Sequence, residues 1–174
     1  MRTAWIKSLE RLAQDNPDIM LLVGDIGFGV VQDFAERFPN QFLNTGINEQ
    51  AMTGMAAGIA LTGKTVFTYS IANFPTLRCL EQIRNDVCYH RTNVVIVSVG
   101  GGYCYGALGA SHHATEDLAI MRALPGLTVL APGDPLEVDA LMEQIVARRG
   151  PCYLRLGRAG EPVVHQSPPQ LPLG

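Results

Sequence analysis

The chain has 174 residues, of which 47% are hydrophobic and 17% are charged. This length suits a single domain with a substantial core, and so few charges indicate that part of the surface packs against another chain. The formal net charge of −3 shows no basic excess. It argues against nucleic acid or an anionic membrane as the main partner.

The cysteines form no CxxC pair, so they are more typical of reduced thiols than of a disulfide framework or a zinc site. They are Cys79, Cys88, Cys104 and Cys152. Charged residues such as Arg2 and Lys7 interrupt any apolar run near the start, so no signal peptide is expected. No window is long and apolar enough to span a bilayer. We therefore expect a cytoplasmic protein without membrane association.

Helical and strand-like patterns alternate along the chain. The runs 18–25 and 92–102 are continuous and apolar, as in strands buried on both faces. Strands that alternate with helices predict an α/β fold with a mainly parallel sheet and helices on both faces. The predicted strands are 18–25, 41–46, 64–70, 92–102, 127–133 and 152–157; the predicted helices are 3–16, 30–39, the segment after Gly46 up to 63, 75–90, 115–125 and 135–149.

Ligands of such sheets bind where the carboxyl ends of the strands meet diverging loops. The candidate site loops are those after Val23, Leu43, Thr68, Val99 and Leu156.

Residues 1–160 are predicted to form one domain, followed by a proline-rich tail at 161–174. The tail contains Pro168, Pro169 and Pro172 and shows no periodicity. We interpret it as a strap on another surface or as a linker to an absent third domain.

One helix, in the segment 44–63, carries a single acid near its start and no other charge. Gly46 ends the preceding strand, which places Glu49 in the first helical turn. The simpler interpretation is that Glu49 complements the helix dipole. Alternatively, the small residues of this helix pack closely and desolvate the carboxyl group, which suits it to share or exchange a proton. The residues alone leave both interpretations open.

The glycine-rich segment 100–113 ends in Ser111, His112 and His113. It lacks the lysine and the spacing of known phosphate-binding loops, so a flexible loop is the simpler interpretation. Adjacent histidines cannot both face the core, so at least one is expected to be accessible. A metal site is not favoured, because no other ligand lies at helical spacing from the histidines.

Four further candidates lie near the ends of predicted strands. Phe74 follows the strand 64–70 and either fills the core or stacks on a planar ring. Arg78 comes one helical turn later. Arg158 follows the last strand, where it could bind an anion, although an ordinary surface arginine is the simpler interpretation. Asp25 closes the first strand and either caps a turn or lines the same cleft.

Taken together, these pieces resemble the pyrimidine-binding domain of transketolase-like thiamine diphosphate enzymes. The matching segments occur in the family's order from about Pro17 to Arg158. They are VGDIG, FLNTGINEQAMTGMAAGIALTGK, FPTLRCLEQIRND, GALGASHHATEDLAIMRALPGLTVLAPGD and GPCYLRLGR. The resemblance implies the thiamine diphosphate-binding fold and its pyrimidine module.

The resemblance implies three cofactor contacts. Glu49 would hydrogen-bond N1′ of the aminopyrimidine and favour the 4′-imino tautomer, which takes the proton from C2 of the thiazolium. Phe74 would stack on the pyrimidine ring, and Asp25 matches an aspartate near the cofactor. The combination of GINEQ with ASHH and EDLAIMRALP is more specific than any single motif.

The resemblance also implies substrate contacts. His112 would line the substrate channel and polarise the oxygens of the donor, and Arg158 would meet a substrate phosphate. Arg78 resembles a substrate-binding arginine of deoxyxylulose-phosphate synthase, and His113 is a further candidate. Ordinary transketolases carry an acid four positions before the site histidine, where this chain has Leu108, so its sugar specificity is expected to differ.

The chain has no GDG…N motif for Mg²⁺ and the diphosphate. The implied function is therefore one subunit of a two-component transketolase that transfers a two-carbon ketol unit between phosphorylated ketose and aldose sugars. A partner subunit would hold the diphosphate and Mg²⁺ in an α2β2 assembly, and self-association is expected. The alternatives are a deoxyxylulose-phosphate synthase-like subunit, a 2-oxo acid dehydrogenase β-like subunit, and a non-catalytic scaffold.

Overall fold

The computed structural model describes residues 1–173 and contains one six-stranded, fully parallel sheet. The strand order across the sheet is β2-β1-β3-β4-β6-β5. The strands are β1 (Ile19–Val23), β2 (Phe42–Asn44), β3 (Thr65–Ile71), β4 (Val94–Val99), β5 (Thr128–Leu130) and β6 (Cys152–Leu156). The helices are α1 (Arg2–Asp15), α2 (Gln32–Arg37), α3 (Glu49–Leu61), α4 (Leu80–Gln82), α5 (Asp117–Arg122) and α6 (Pro135–Arg148).

The predicted α/β class, with a mainly parallel sheet and helices on both faces, is confirmed. The strands β3 and β4 lie in the middle of the sheet, and all six residues of β4 are buried. A strand covered on both faces needs apolar side chains on both sides. The continuous run of β4 meets that need.

Two hydrophobic clusters cover the two faces of the sheet. One face packs against α1, α2 and α6, and its largest side chain is Trp5, whose ring stacks on that of Tyr69 at a centroid distance of 4.8 Å. The opposite face packs against α3, α5 and the segment after α4, with Met52 and Met121 fully buried. Because all strands are parallel, their carboxyl ends lie at one edge of the sheet.

The predicted helix 75–90 differs from the observed structure. Regular helix begins only at Leu80, and α4 continues as a π-helix over Ile83–Tyr89. Turns occupy the residues before it, where the hydroxyl of Thr76 donates to the carbonyl of Ala72 at 2.6 Å. The turn before α4 displaces the start of the helix and determines where Arg78 lies.

Residues 161–173 of the tail contain no helix or strand, and the end of the tail contacts α6. Leu171 and Leu173 pack on the cluster formed by α1 and α6, and the side chain of Gln144 bonds to the backbone of both leucines. Gly174, the last residue of the predicted tail, lies outside the described residues. Within residues 1–173, no helix has the length and apolar character needed to cross a membrane.

Candidate active site

Glu49 lies at the start of α3, beneath the carboxyl ends of β1 and β3. Asn48 caps the helix by accepting a hydrogen bond from the backbone N–H of Ala51. The Glu49 side chain is only 2% exposed. Its Oε1 accepts a hydrogen bond from the Ser70 hydroxyl at 3.3 Å, and a Cβ atom at Gly24 would lie 3.6 Å away. Two strand ends therefore enclose one carboxylate.

Arg78 neutralises this carboxylate. Its guanidinium donates to Glu49 Oε2 at 2.7 Å, and its Cζ lies 4.6 Å from the ring centroid of Phe74. The Arg78 side chain is 45% exposed, so the pair joins a buried anion to a cation near the surface. The site thus combines a buried proton acceptor with an aromatic face that holds a flat, N–H-donating group.

The loop after β4 brings His112 to Phe74. The two rings meet edge to face with centroids 5.2 Å apart. The side-chain amide of Asn73, beside Phe74, donates to the Ser111 carbonyl at 2.7 Å. The Ser111 hydroxyl lies 3.0 Å from His112 Nδ1, so the two groups share one hydrogen bond. Thus the β3 end anchors the histidine loop.

Tyr105 connects His112 to Arg158. Its ring centroid lies 6.3 Å from that of His112, and Arg158 Cζ lies 5.4 Å from the Tyr105 centroid. Burial raises the pKa of the Tyr105 hydroxyl above its usual value. The structure therefore arranges Glu49, Arg78, Phe74, His112, Tyr105 and Arg158 in one continuous series of contacts.

Asp25 and His113 lie outside this series. The Asp25 carboxylate is exposed at the end of β1 and accepts from the side-chain amide of Asn44 at 2.9 Å. His113 packs edge to face on Tyr103, with its Nε2 3.1 Å from the Gly106 carbonyl. Within the described part of the chain, neither side chain bonds to or stacks on Glu49, Phe74 or His112.

Sequence reasoning missed two residues that complete the site. Ser70 was part of a predicted strand, and only the packing of α3 against β3 shows that its hydroxyl meets Glu49. Tyr105 lay in the glycine-rich segment without a spacing signal of its own. Its position requires Gly100, where a Cβ atom would overlap the tyrosine ring.

A second buried carboxylate supports the base of the histidine loop. Asp117 Oδ2 accepts from the Tyr153 hydroxyl at 2.6 Å and from Arg155 Nε at 2.9 Å. Arg155 lies against Gly101, and the loop is closed by an antiparallel bridge between Gly102 and Ala114. Within residues 1–173, no group of three His, Cys, Asp or Glu side chains is arranged to hold a metal ion.

The chain resembles known transketolase sequences and structures. The family model for "Transketolase, pyrimidine binding domain" matches residues 1–161. A subunit of the apulose-4-phosphate transketolase of Phocaeicola vulgatus is 39% identical over 167 residues, covering 95% of this chain and 54% of that protein. The "Putative transketolase C-terminal section" of Methanocaldococcus jannaschii is also 39% identical over 168 residues, covering 96% and 53%.

Among solved structures, "Split gene transketolase, inactive beta4 tetramer" superposes with a TM-score of 0.87 at 39% identity, covering 98% of this chain and 55% of that one. The chain thus spans about half the length of the curated relatives it matches. Because the family model extends over nearly the whole chain, this protein belongs to the transketolase pyrimidine-binding domain family.

Proposed function

We propose that this chain supplies the pyrimidine-binding half of a thiamine diphosphate-dependent transketolase made of two kinds of subunit. The observation that carries the proposal is the buried carboxylate of Glu49 beside the Phe74 ring, with His112 5.2 Å from that ring. An acid shielded from water can share a proton with a ring nitrogen far more effectively than an exposed one. The arrangement suits an aminopyrimidine.

The residues present fit this part of the cofactor. The guanidinium of Arg78 is planar and donates N–H groups, and it contacts both the Phe74 ring and Glu49. A planar aminopyrimidine can use the same two groups, with the carboxyl of Glu49 at its ring nitrogen and Phe74 on its face. Asp25 is proposed to approach the cofactor from the β1 end. When bound, thiamine diphosphate supplies the chemistry that cleaves the bond next to a ketose carbonyl.

The other end of the series is proposed to bind substrate. His112 is placed to polarise an oxygen of the ketose donor, and the Arg158 guanidinium to pair with a sugar phosphate. Arg158 is exposed, as an arginine that receives a phosphate from solvent must be. His113 and Arg78 are proposed as further substrate contacts. Leu108, exposed on the same loop, stands where an acid is expected in ordinary transketolases.

Exposed apolar side chains support the proposal of a partner subunit. Phe28, Leu43 and Ile47 are exposed in β2 or in the loops after β1 and β2, and Met55 is exposed on α3. Both curated relatives carry names that describe one part of a transketolase, which is consistent with a second polypeptide. We propose that this second polypeptide holds the diphosphate and Mg²⁺. The solved relative is described as a tetramer, which supports self-association, and we extend it to an α2β2 assembly in the cytoplasm.

The division of the chain remains part of this proposal. Residues 1–160 would form the pyrimidine-binding domain, and 161–174 would act as a tail or as a linker to a third domain. The matched relatives are about twice as long as the matched region.

The test mixes the purified chain with a diphosphate-binding subunit, thiamine diphosphate, Mg²⁺ and a phosphorylated ketose. We expect ketol transfer from the mixture and none from either polypeptide alone. Glu49→Gln should lower transfer and the exchange of the cofactor C2 proton by roughly 100-fold or more, because the amide cannot share the proton. Exchange is measured by ¹H NMR.

Glu81→Gln is the matched control, because Glu81 is exposed on α4. It should exchange the C2 proton at the wild-type rate. Turnover by the chain alone would contradict the two-subunit proposal, and unchanged exchange in Glu49→Gln would contradict the role of Glu49.

A further inference from the structure

Arg78 contacts both groups that the proposed function assigns to the aminopyrimidine. Its guanidinium donates to Glu49 Oε2 at 2.7 Å, and its Cζ lies 4.6 Å from the centroid of the Phe74 ring. The guanidinium is flat, delocalised and rich in N–H donors. In shape and in hydrogen bonding it resembles an aminopyrimidine. The guanidinium and an aminopyrimidine ring cannot occupy the same carboxylate oxygen and the same face of Phe74 at the same time.

The two partners of this ion pair differ in their freedom to move. Glu49 is 2% exposed and is enclosed by α3, Gly24 and Ser70, so its carboxylate cannot turn to water. The Arg78 side chain is 45% exposed. Gln50 bonds to the backbone carbonyl of Arg78 at 3.0 Å and not to its guanidinium. If a ring enters, the arginine is the group that moves.

A buried carboxylate without a partner is costly, so the site needs a cation or a proton wherever the ring is not bound. Among residues 1–173, Arg78 is the only cation within ion-pair distance of Glu49. The Arg78–Glu49 ion pair therefore stabilises the site when no aminopyrimidine is bound, and it competes with the aminopyrimidine for the same contacts.

We propose that Arg78 is an internal occupant of the aminopyrimidine subsite, which the cofactor must displace before the site can function. The proposal rests on the proposed function. Displacement turns the guanidinium away from Glu49 towards the exposed side of Phe74, where it becomes available to an anionic substrate. Binding is thus ordered: the cofactor ring comes first and the substrate anion second.

The test uses 4-amino-5-hydroxymethyl-2-methylpyrimidine, a fragment with the ring of the cofactor and without its diphosphate. Binding to the purified chain is measured by saturation-transfer NMR and calorimetry. Arg78→Met removes the charge and keeps an unbranched side chain, so the fragment should bind about tenfold more tightly than to the wild type. Arg78→Lys keeps a cation without the planar face, and it should give an affinity between the two.

Arg84→Met is the matched control, since Arg84 bonds to Asn85 and, in the described chain, contacts neither Glu49 nor Phe74. It should leave the affinity unchanged. Arg78→Gln replaces Arg78→Met if circular dichroism shows that the methionine variant does not fold.

Equal or weaker binding by Arg78→Met and Arg78→Gln would overturn the proposal while leaving the proposed function intact. Wild-type binding that survives in Glu49→Gln and Phe74→Ala would instead overturn the subsite itself. Failure of every variant to bind the fragment would overturn both.

Discussion

The cysteines illustrate how position alone separates chemically identical groups. Cys104 is exposed on the glycine-rich loop, whereas Cys79, Cys88 and Cys152 are buried in or beside the sheet. Burial raises the pKa of the Cys79 and Cys88 thiols to about 11 and that of Cys152 to about 12. A buried thiol that resists ionisation is also a poor nucleophile.

We predict that iodoacetamide at pH 8 labels Cys104 alone in the folded chain and all four cysteines in urea. Mass spectrometry of peptides checks this, and Cys104→Ser should leave the folded chain unlabelled.

The three buried thiols also make the stability of the fold depend on pH, because the unfolded chain ionises them near 9.0 and the folded chain only near 11 to 12. Their contribution to stability is complete below about pH 9 and is lost as the pH rises towards 12. If iodoacetamide labelled Cys152 as fast as Cys104, the labelling prediction would be wrong.

At the residue scale, the sequence left two interpretations of Glu49 open and did not predict the partner of its carboxylate. A single acid in an otherwise uncharged helix of small residues suited either helix capping or a shielded carboxylate, and the structure buries Glu49. The pairing with Arg78 depends on the turns that delay α4, and the hydrogen bond from Ser70 depends on how α3 crosses β3. Neither follows from local periodicity. The roles of these residues in catalysis stay predictions.

The loop between β4 and α5 is the element that carries His112, and its base is tightly packed. A Cβ atom at Gly101 would overlap the Arg155 guanidinium, which is itself held by Asp117. Arg155 cannot move without leaving a buried carboxylate short of a partner. This packing explains why the glycine-rich segment, which lacks the spacing of a phosphate-binding loop, still requires glycine.

We predict that Gly101→Ala lowers the free energy of unfolding by about 1–3 kcal/mol, because the added methyl group overpacks the loop base. Urea denaturation followed by circular dichroism measures the change. Gly106→Ala is the control, since its methyl group meets no atom within 4 Å. Equal midpoints for the two variants would show that Arg155 adapts freely and that the loop base is not a rigid support for His112.

At the element scale, alternating apolar runs and helical periodicity predicted all six strands and the order of the helices. The boundaries were less accurate. The helix predicted at 115–125 is observed only over Asp117–Arg122, and the helix predicted at 75–90 begins at Leu80 and becomes π-helical. A π-helix is rare and here spans only seven residues, too few for its side-chain spacing to be distinguished from that of an α-helix.

For the whole molecule, the sequence predicted a parallel sheet with helices on both faces, but not the order of the strands. In the sheet β6 lies between β4 and β5, so the last strand pairs with β4 along Cys152–Leu156 and separates it from β5. The same apolar pattern fits any position in such a sheet. The order of the strands depends on crossover connections and on contacts between segments that are distant in sequence. This order brings Arg155 and Arg158 to the histidine loop, which local patterns could not reveal.

Asp134 joins the tail to the domain and serves two functions with two oxygens. Its Oδ1 caps α6 by accepting from the backbone N–H groups of Leu136 and Glu137. Its Oδ2 accepts from the backbone N–H groups of Val164 and His165 and lies 2.9 Å from His165 Nδ1. Burial alone would raise the pKa of this carboxyl, but the N–H donors, led by that of His165, lower it below its usual 3.8.

A lowered folded-state pKa fixes the sign of the pH effect: the contribution of Asp134 to stability is complete above about pH 4 and is lost as the pH falls below that value. We predict that the backbone amide resonances of Val164 and His165 move to unfolded positions under acid, while Asp134→Ser releases them already at pH 7. Serine retains the α6 cap but provides no second oxygen for the tail, so amides at the start of α6 should keep their protection from hydrogen exchange. NMR of the ¹⁵N-labelled chain follows both sets of amides. Tail amides that stay unchanged in Asp134→Ser would show that Leu171, Leu173 and Gln144 hold the tail without the carboxylate.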